Sequence, residues 1–368
     1  MASFQKRGKT WQYTISRMIN GVSKPIRKSG FSTKKEAQIA ATEVEADLQK
    51  GITPHLKPEP FDEYFAEWLK LYKKDVSKNT MSRYLNTLKT IQEHFKGVPI
   101  QNINKRTYQL FLNEYGLTRA KTTTKKINGH IRACIKDAID EGIIHTDFTR
   151  RVVFSGSVQT KKADEKHLSY FDSKRLLNEL QNNLDSLTHY LILLALTSGL
   201  RFSELLGLTR KDFDFEKNEI SINKTWGHTK KMHVGFGKTK NEQSNRTIKM
   251  DAKTMDVFKK MFNNTPENLH GLIFYCPVSK YKIISNGAAN KLLKTLLEKL
   301  NINPISIHGL RHTHASVLLY KKVSIYYISE RLGHSAIETT LQHYAHIVKE
   351  LREKDEKNTV KIFGDMVI

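Results

Sequence analysis

The sequence predicts a multidomain α+β chain: a small three-stranded sheet plus helix, then a four-helix bundle, then a mainly α domain with a small antiparallel sheet. Three observations predict it. The chain has 368 residues, more than one hydrophobic core usually serves. Its apolar period runs from strand-like to helical, and returns to strand-like between residues 213 and 250. Two stretches, 51–60 with three prolines and 155–166, polar and basic, separate the periodic regions. The expected domains are 1–57, 58–157 and 158–368.

In the first domain WQYTISRMI alternates as a strand does, Asn20-Gly21 is a hairpin turn signal, and KPIRKSGF offers a further strand. Ser32 or Thr33 then caps a helix that runs to about Lys50. Eleven Lys/Arg stand against four acids in residues 1–57, and the acids lie in the helix, so the strands form the basic face. Trp11, Tyr13 and Phe31 are expected in its core. Residues 61–144 read as four helices with apolar residues three and four apart, capped at positions such as Asn79, Asn104 or Thr122. After the second linker, Asp172 or Ser173 caps a helix, and HYLILLALTSGL is a buried one. Strands EISIN, KMHVGF and RTIKM follow, with Thr239 to Asn245 as a hairpin turn.

Composition bounds the function. Lys+Arg 61 against Asp+Glu 37 gives a net charge of +24, which calls for a polyanionic partner, nucleic acid before a membrane surface. Two cysteines, Cys134 and Cys276, exclude a disulfide scaffold and fit a reducing compartment. The start lacks an apolar signal core, and the longest apolar run, Tyr190 to Leu196, is too short to span a bilayer. A soluble, intracellular protein is expected.

The densest chemistry lies between His308 and His346. His308 and Arg311 are three apart in a helical pattern, so both can face one target; Gly333-His334 ends a second apolar run, and Tyr344 follows ten residues on, flanked by histidines. Arginine offers a charged fork that matches phosphate oxygens, histidine can donate hydrogen bonds or move protons, and a tyrosine hydroxyl can be a nucleophile. Upstream, LTSGLRFSELLGL holds Arg201 and GKTKNEQSNRTIKM holds Lys238.

Together these boxes resemble the tyrosine recombinase, or phage-type integrase, family, whose catalytic domain carries Arg, Lys, His-x-x-Arg, His and Tyr in that order. All six positions are filled over about half of the chain: Arg201, Lys238, His308, Arg311, His334 and Tyr344. The resemblance implies a site-specific recombinase of a phage or mobile element that integrates or excises DNA through a 3′-phosphotyrosine, without metal, cofactor or ATP. It implies an arm-type DNA-binding domain at 1–57, a core-binding SAM-like bundle at 58–157 with Lys78, Arg83, Lys121, Lys125, Lys126 and Arg132 toward phosphates, and the catalytic domain at 158–368. It implies double-stranded DNA with core and arm sites as partner, a homotetramer on DNA from free monomers, DNA-bending and excision accessory proteins, and the cytoplasm of a bacterial host.

Other readings stay open on the residues alone. The insertion in KTKNEQSNRT leaves Lys240 as runner-up for the lysine role. His312, His314, His343 and His346 allow a metal site, but from Ile305 to Ile347 only Glu330 and Glu338 are acidic, which disfavours a metal nuclease. His312, His314 and His346 read better as packing groups, Tyr320, Tyr326 and Tyr327 as core positions, and Glu204 as a group that orients an arginine or caps a helix. A DNA-binding architectural or regulatory protein that keeps the fold without cleavage is the rival class, and a type IB topoisomerase the rival enzyme. The apolar end of the tail (Ile362, Phe363, Met366, Val367, Ile368) suits docking on its own domain or a neighbouring protomer.

Overall fold

A computed structural model describes residues 2–19, 22–49, 58–160, 164–338, 340–341, 356 and 359–365. The chain forms two compact units, residues 1–160 and 161–368.

The first unit opens with β1 (Ala2–Arg7) and β2 (Thr10–Ile15), which pair antiparallel around Gly8, whose φ of 58° suits the tight turn. A minor ladder joins β3 (Met18–Ile19) to β4 (Val22–Ser23); the Asn20-Gly21 turn expected between them lies outside the described residues. β5 (Ile26–Phe31) completes a sheet of order β1-β2-β5. α1 (Lys34–Gln49) starts in a capping box: Thr33 Oγ1 accepts from Glu36 N–H at 3.2 Å, and Glu36 Oε2 accepts from Ser32 N–H at 3.0 Å. Ala41 and Val44 of α1 close the core on Tyr13, Ile15 and Ile26. Lys6, Arg7, Arg27 and Lys28 are exposed on the strands. Trp11 departs from expectation: it is only half-buried, because the β2–β5 register shifts at Trp11/Gln12, and Lys34 lies 5.8 Å from its ring.

Four helices follow, α2 (Phe61–Tyr72), α3 (Lys78–Phe95), α4 (Lys105–Gly116) and α5 (Lys121–Asp140). Phe61, Phe65 and Trp68, spaced along one face of α2, meet Ile91, Tyr108, Leu112 and Ile131 in one core. Its polar edges are tied: Trp68 Nε1 donates to Asp137 Oδ2 at 2.5 Å and Tyr108 OH to Asn128 Oδ1 at 2.9 Å. Asn104 caps α4 as expected. The other two caps differ. Ser77, not Asn79, accepts from Thr80 N–H at 3.3 Å, and Ala120, at the N-cap of α5, gives no side-chain cap, so Thr122 has no such role. Nor does the second linker start free at residue 155. Ser157 N–H donates to Gly116 O and Val158 N–H to Arg119 O, and a Cβ on Gly156 would lie 2.1 Å from Lys121 N, so this strip packs on the α4–α5 corner.

The second unit places α6 (Tyr170–Asn182), α7 (Leu187–Ser198) and α8 (Phe202–Gly207) before the strands β6 (Phe213–Asp214), β7 (Glu219–Ile222), β8 (Thr225–Trp226), β9 (Phe236–Gly237) and β10 (Arg246–Lys249). Helices α9 (Ala252–Asn264), α10 (Asn286–Lys299), α11 (Ile307–Tyr320) and α12 (Ile325–Leu332) follow. Every residue from Leu191 to Leu196 is buried, which makes α7 the central post of the core. Ser169, three residues ahead of the expected Asp172, caps α6 by accepting from Asp172 N–H at 3.1 Å. The segment 239–245 is not a hairpin turn: β9 pairs with β8 and β10 with β7, so it crosses between two ladders through a 3-10 turn, Glu242–Ser244. Tyr326 and Tyr327 are exposed rather than core, since α12 buries the face of Ile328 and Leu332; Tyr320, the last residue of α11, is exposed too, its ring stacked on Tyr170 at 5.1 Å. Val360, Ile362 and Phe363 are exposed; Met366, Val367 and Ile368 lie outside the described residues. Among the described residues no helix is long and apolar enough to cross a membrane.

Candidate active site

The site is built around the C-terminus of α12. The last carbonyls of a helix have no intrahelical donor and must find partners elsewhere. Here each one does. Gly333, at φ 64°, turns the chain into a Schellman motif: its N–H donates to Glu330 O at 2.8 Å, and His334 N–H donates to Ser329 O at 3.1 Å. The next three carbonyls are taken by three different arginines. Arg246 Nε donates to Arg331 O at 2.6 Å, Arg311 Nη2 to Leu332 O at 2.7 Å, and Arg201 Nη2 to Gly333 O at 2.9 Å. The negative end of the helix dipole favours this convergence of cations.

The arginines reach it from separate elements. Arg201 sits where α7 ends at Gly199, whose φ of 69° lets the chain reverse before α8; a Cβ there would lie 2.7 Å from His314 Cδ2. Arg311 stands on α11, 4% exposed, and its Nη1 donates to Gly199 O at 2.9 Å. Arg201 Nη1 donates to Glu204 Oε1 at 2.6 Å and to Ser244 Oγ at 3.2 Å, while Glu204 Oε2 accepts both the Arg201 N–H at 3.1 Å and Arg246 Nη2 at 3.0 Å. Glu204 therefore both orients an arginine and caps α8, as its position in the sequence suggests. Burial works to raise its pKa, but the Arg246 and Arg201 guanidiniums outweigh it and hold the carboxyl below the usual range. Arg201 keeps 22% exposure, and its Nε–H and one Nη2–H meet no acceptor among the described residues.

His334 follows Gly333 directly, half-buried, and shares a 2.7 Å hydrogen bond between its Nδ1 and Thr340 Oγ1. His308 is exposed in the first turn of α11, its ring edge-on to His312 at 5.1 Å. Lys238 is exposed immediately after β9, where Thr225 Oγ1 donates to the Lys238 carbonyl at 3.1 Å; Lys240 is exposed two residues on. Thus one helix end gathers Arg201, Arg311 and His334, His308 lies one turn from Arg311, and Lys238 follows a separate ladder. Tyr344, like His343 and His346, lies outside the described residues. Among the described residues no three His, Cys, Asp or Glu side chains gather as a metal ligand set.

Sequence reasoning missed Arg246 and Arg331. Arg331, 9% exposed, donates from Nε to His314 Nε2 at 3.0 Å and from Nη1 to Lys249 O at 2.8 Å, and His314 Nδ1 donates to Leu196 O at 2.9 Å. Burial, then the Arg331 charge, pushes the His314 imidazole down to about 3. Because that value lies below the unfolded one of about 6.5, His314 favours the fold fully above pH 6.5 and loses that contribution as pH falls toward 3. Unfolding free energy is expected to drop by about 1.4 kcal/mol per pH unit within this window from this group alone. Urea titrations of wild type and His314→Gln, which keeps an acceptor but cannot titrate, check it: the variant's pH slope should be shallower by that amount, and equal slopes would refute the assignment.

With the geometry in view, comparison with known proteins is specific. The phage integrase family model matches residues 166–350, an arm DNA-binding domain model residues 3–48, and a phage integrase N-terminal SAM-like domain model residues 60–115. The integrase of Staphylococcus phage L54a is 25% identical over 358 residues, 90% of this chain and 96% of its own. A tyrosine recombinase XerC-like protein of Caldanaerobacter subterraneus subsp. tengcongensis is 27% identical over 403 residues, 100% of this chain and 99% of its own. In fold, the Tn1549 transposon integrase solved with a circular intermediate DNA aligns at a TM-score of 0.66 and 20% identity, over 80% of this chain and 99% of that one. With the motif-bearing half of its length matched by the family model, the chain belongs to the phage integrase family of tyrosine recombinases.

Proposed function

We propose that this chain is a site-specific recombinase that cuts and rejoins double-stranded DNA to integrate or excise a mobile element. The observation that carries the reading is the convergence of Arg201, Arg311 and the His334 backbone on one helix end, in a member of this family. In this reading residues 1–57 bind arm sites, 58–157 the core site, and 158–368 perform the chemistry.

The roles follow from charge and proton balance. The scissile phosphate repels nucleophiles and has a poor alkoxide leaving group. Arg201 and Arg311 neutralise its non-bridging oxygens and the charge added in the transition state. The Tyr344 oxygen bonds to phosphorus as its proton passes to His308, and the 5′ oxygen departs with a proton from Lys238, with Lys240 the alternative donor. His334 hydrogen-bonds the phosphate. The 3′-phosphotyrosine conserves the ester, so a 5′-hydroxyl from another strand reverses the step without ATP or metal. Four protomers on DNA, monomers in free solution, the bacterial cytoplasm as the place of action, and DNA-bending and excision proteins as accessories complete the proposal.

The test is covalent capture. Wild type and Tyr344→Phe are incubated in chelator with nicked duplexes from DNA flanking the gene, and protein joined to DNA is read on a denaturing gel. The wild type should form the adduct and the variant none. Absence of adduct from a wild type that binds the same DNA tightly would move the reading to a non-cleaving DNA-binding protein.

A further inference from the structure

Arg246 has no place among the six residues assigned above, yet it touches both parts of the machinery. It opens β10 with a side chain 7% exposed, so it is placed to act through other protein groups. Its three nitrogens each donate once: Nε to Arg331 O, Nη1 to Ser244 O at 2.8 Å, and Nη2 to Glu204 Oε2. Two consequences follow. Glu204 binds Arg201 through its other oxygen, so without Arg246 one carboxylate would face one guanidinium and cancel the charge that Arg201 presents to a phosphate. With Arg246 the triad carries a net positive charge. The Nε bond also pins the first of the three carbonyls that end α12, and the next two are those that hold Arg311 and Arg201.

We infer that Arg246 is a positioning residue of the cleavage step, acting through Glu204 so that the cluster around Arg201 presents a net positive charge to the scissile phosphate, and through the Arg331 carbonyl to fix the helix end on which both arginines rest. The inference rests on the recombinase reading.

A charge role is separable from a structural one. Replacing a charged non-bridging oxygen of the scissile phosphate by methyl lowers the negative charge the site must neutralise. Adduct formation is followed under saturating protein on duplexes with either a phosphate or a methylphosphonate at the scissile position, for wild type, Arg246→Gln and Arg246→Lys. Cooperative melting and core-site binding establish that each variant is folded. Arg246→Gln should bind the core site within about threefold of wild type and form adduct on phosphate roughly 30- to 100-fold more slowly, below the effect of losing a direct oxyanion donor. On methylphosphonate its loss should shrink to under about fivefold, because less charge remains to be neutralised. Arg246→Lys, which keeps the charge, should recover to within about tenfold on phosphate.

An equal loss on both substrates makes Arg246 merely structural and overturns the inference. So does an Arg246→Gln that keeps pace with a wild type forming adduct. Should Arg246→Gln fail to fold, Arg246→Lys decides: a folded lysine variant slowed more than about a hundredfold overturns the charge role. A wild type that forms no adduct fails the recombinase reading itself, and this inference falls with it.

Discussion

Arg311→Ala is expected to slow adduct formation by about 10²- to 10³-fold and to lower the stability of residues 161–368 by about 3–5 kcal/mol. Both effects come from one side chain. Its guanidinium, 4% exposed, bonds Gly199 O at 2.9 Å and Leu332 O at 2.7 Å, thereby joining the end of α7 to the end of α12. Truncation leaves two buried carbonyls without these donors, at roughly 1–3 kcal/mol each, and a void where the fork lay. It also removes a positive charge that the proposed mechanism sets against the developing charge of the phosphate. Arg311→Lys separates the two: an ammonium keeps the charge but lacks the planar fork that reaches both carbonyls. Urea unfolding and adduct time courses on the same preparations check this. Alanine and wild-type proteins of equal stability would show that the bridge does not hold the fold, and equal adduct rates would remove Arg311 from the chemistry.

Gly333→Ala is expected to cost about 2–4 kcal/mol and most of the activity. A left-handed backbone is unfavourable for alanine by roughly 1–2 kcal/mol relative to glycine. The rest is steric: a Cβ would lie 2.9 Å from both Arg246 Nη1 and Gln243 O. Relief of that contact must move either Arg246, which holds Glu204, or the Gly333 carbonyl, which holds Arg201. Gly333→Asn tests the division, since asparagine tolerates the left-handed region but brings the same Cβ. It should regain stability without regaining adduct formation. If asparagine restored both, the backbone angle alone would account for the glycine.

The helices were legible because burial writes itself at three and four spacing: Phe61, Phe65 and Trp68 of α2 are buried together, and the apolar run of α7 is buried on every side. The helix starts were less so. Ser77 and Asn79, or Ser169 and Asp172, offer similar oxygens a few positions apart, and only the chain's entry angle selects one. The strands of the second unit failed differently. β8 and β9 are two residues each, too short for alternation to reveal, and β10 passes over its neighbour in sequence to pair with β7. Of the site, the boxes around Arg201, Arg311 and His334 could be read from sequence. The bonds that seat them could not: Arg246 meets Glu204 across 42 residues and Arg331 across 85. An arginine in a strand next to a polar crossing looks like any solvated charge. The exposed Tyr326 and Tyr327 erred because α12 has only eight residues, enough for one narrow buried stripe.

In the recombinase reading, the cluster of guanidiniums at the end of α12 couples the protein's stability to phosphate occupancy. Arg201, Arg246, Arg311 and Arg331 all bond this short segment or its neighbours, while Glu204 pairs with two of them. A phosphate held there by the folded state alone adds RT ln(1 + [L]/Kd) to its stability, about 2.7 kcal/mol at a hundredfold excess over Kd. The scissile phosphate of that reading is therefore also a stabilising ligand of the fold. Protein bound to its DNA is then expected to resist proteolysis longer than free protein at the same concentration.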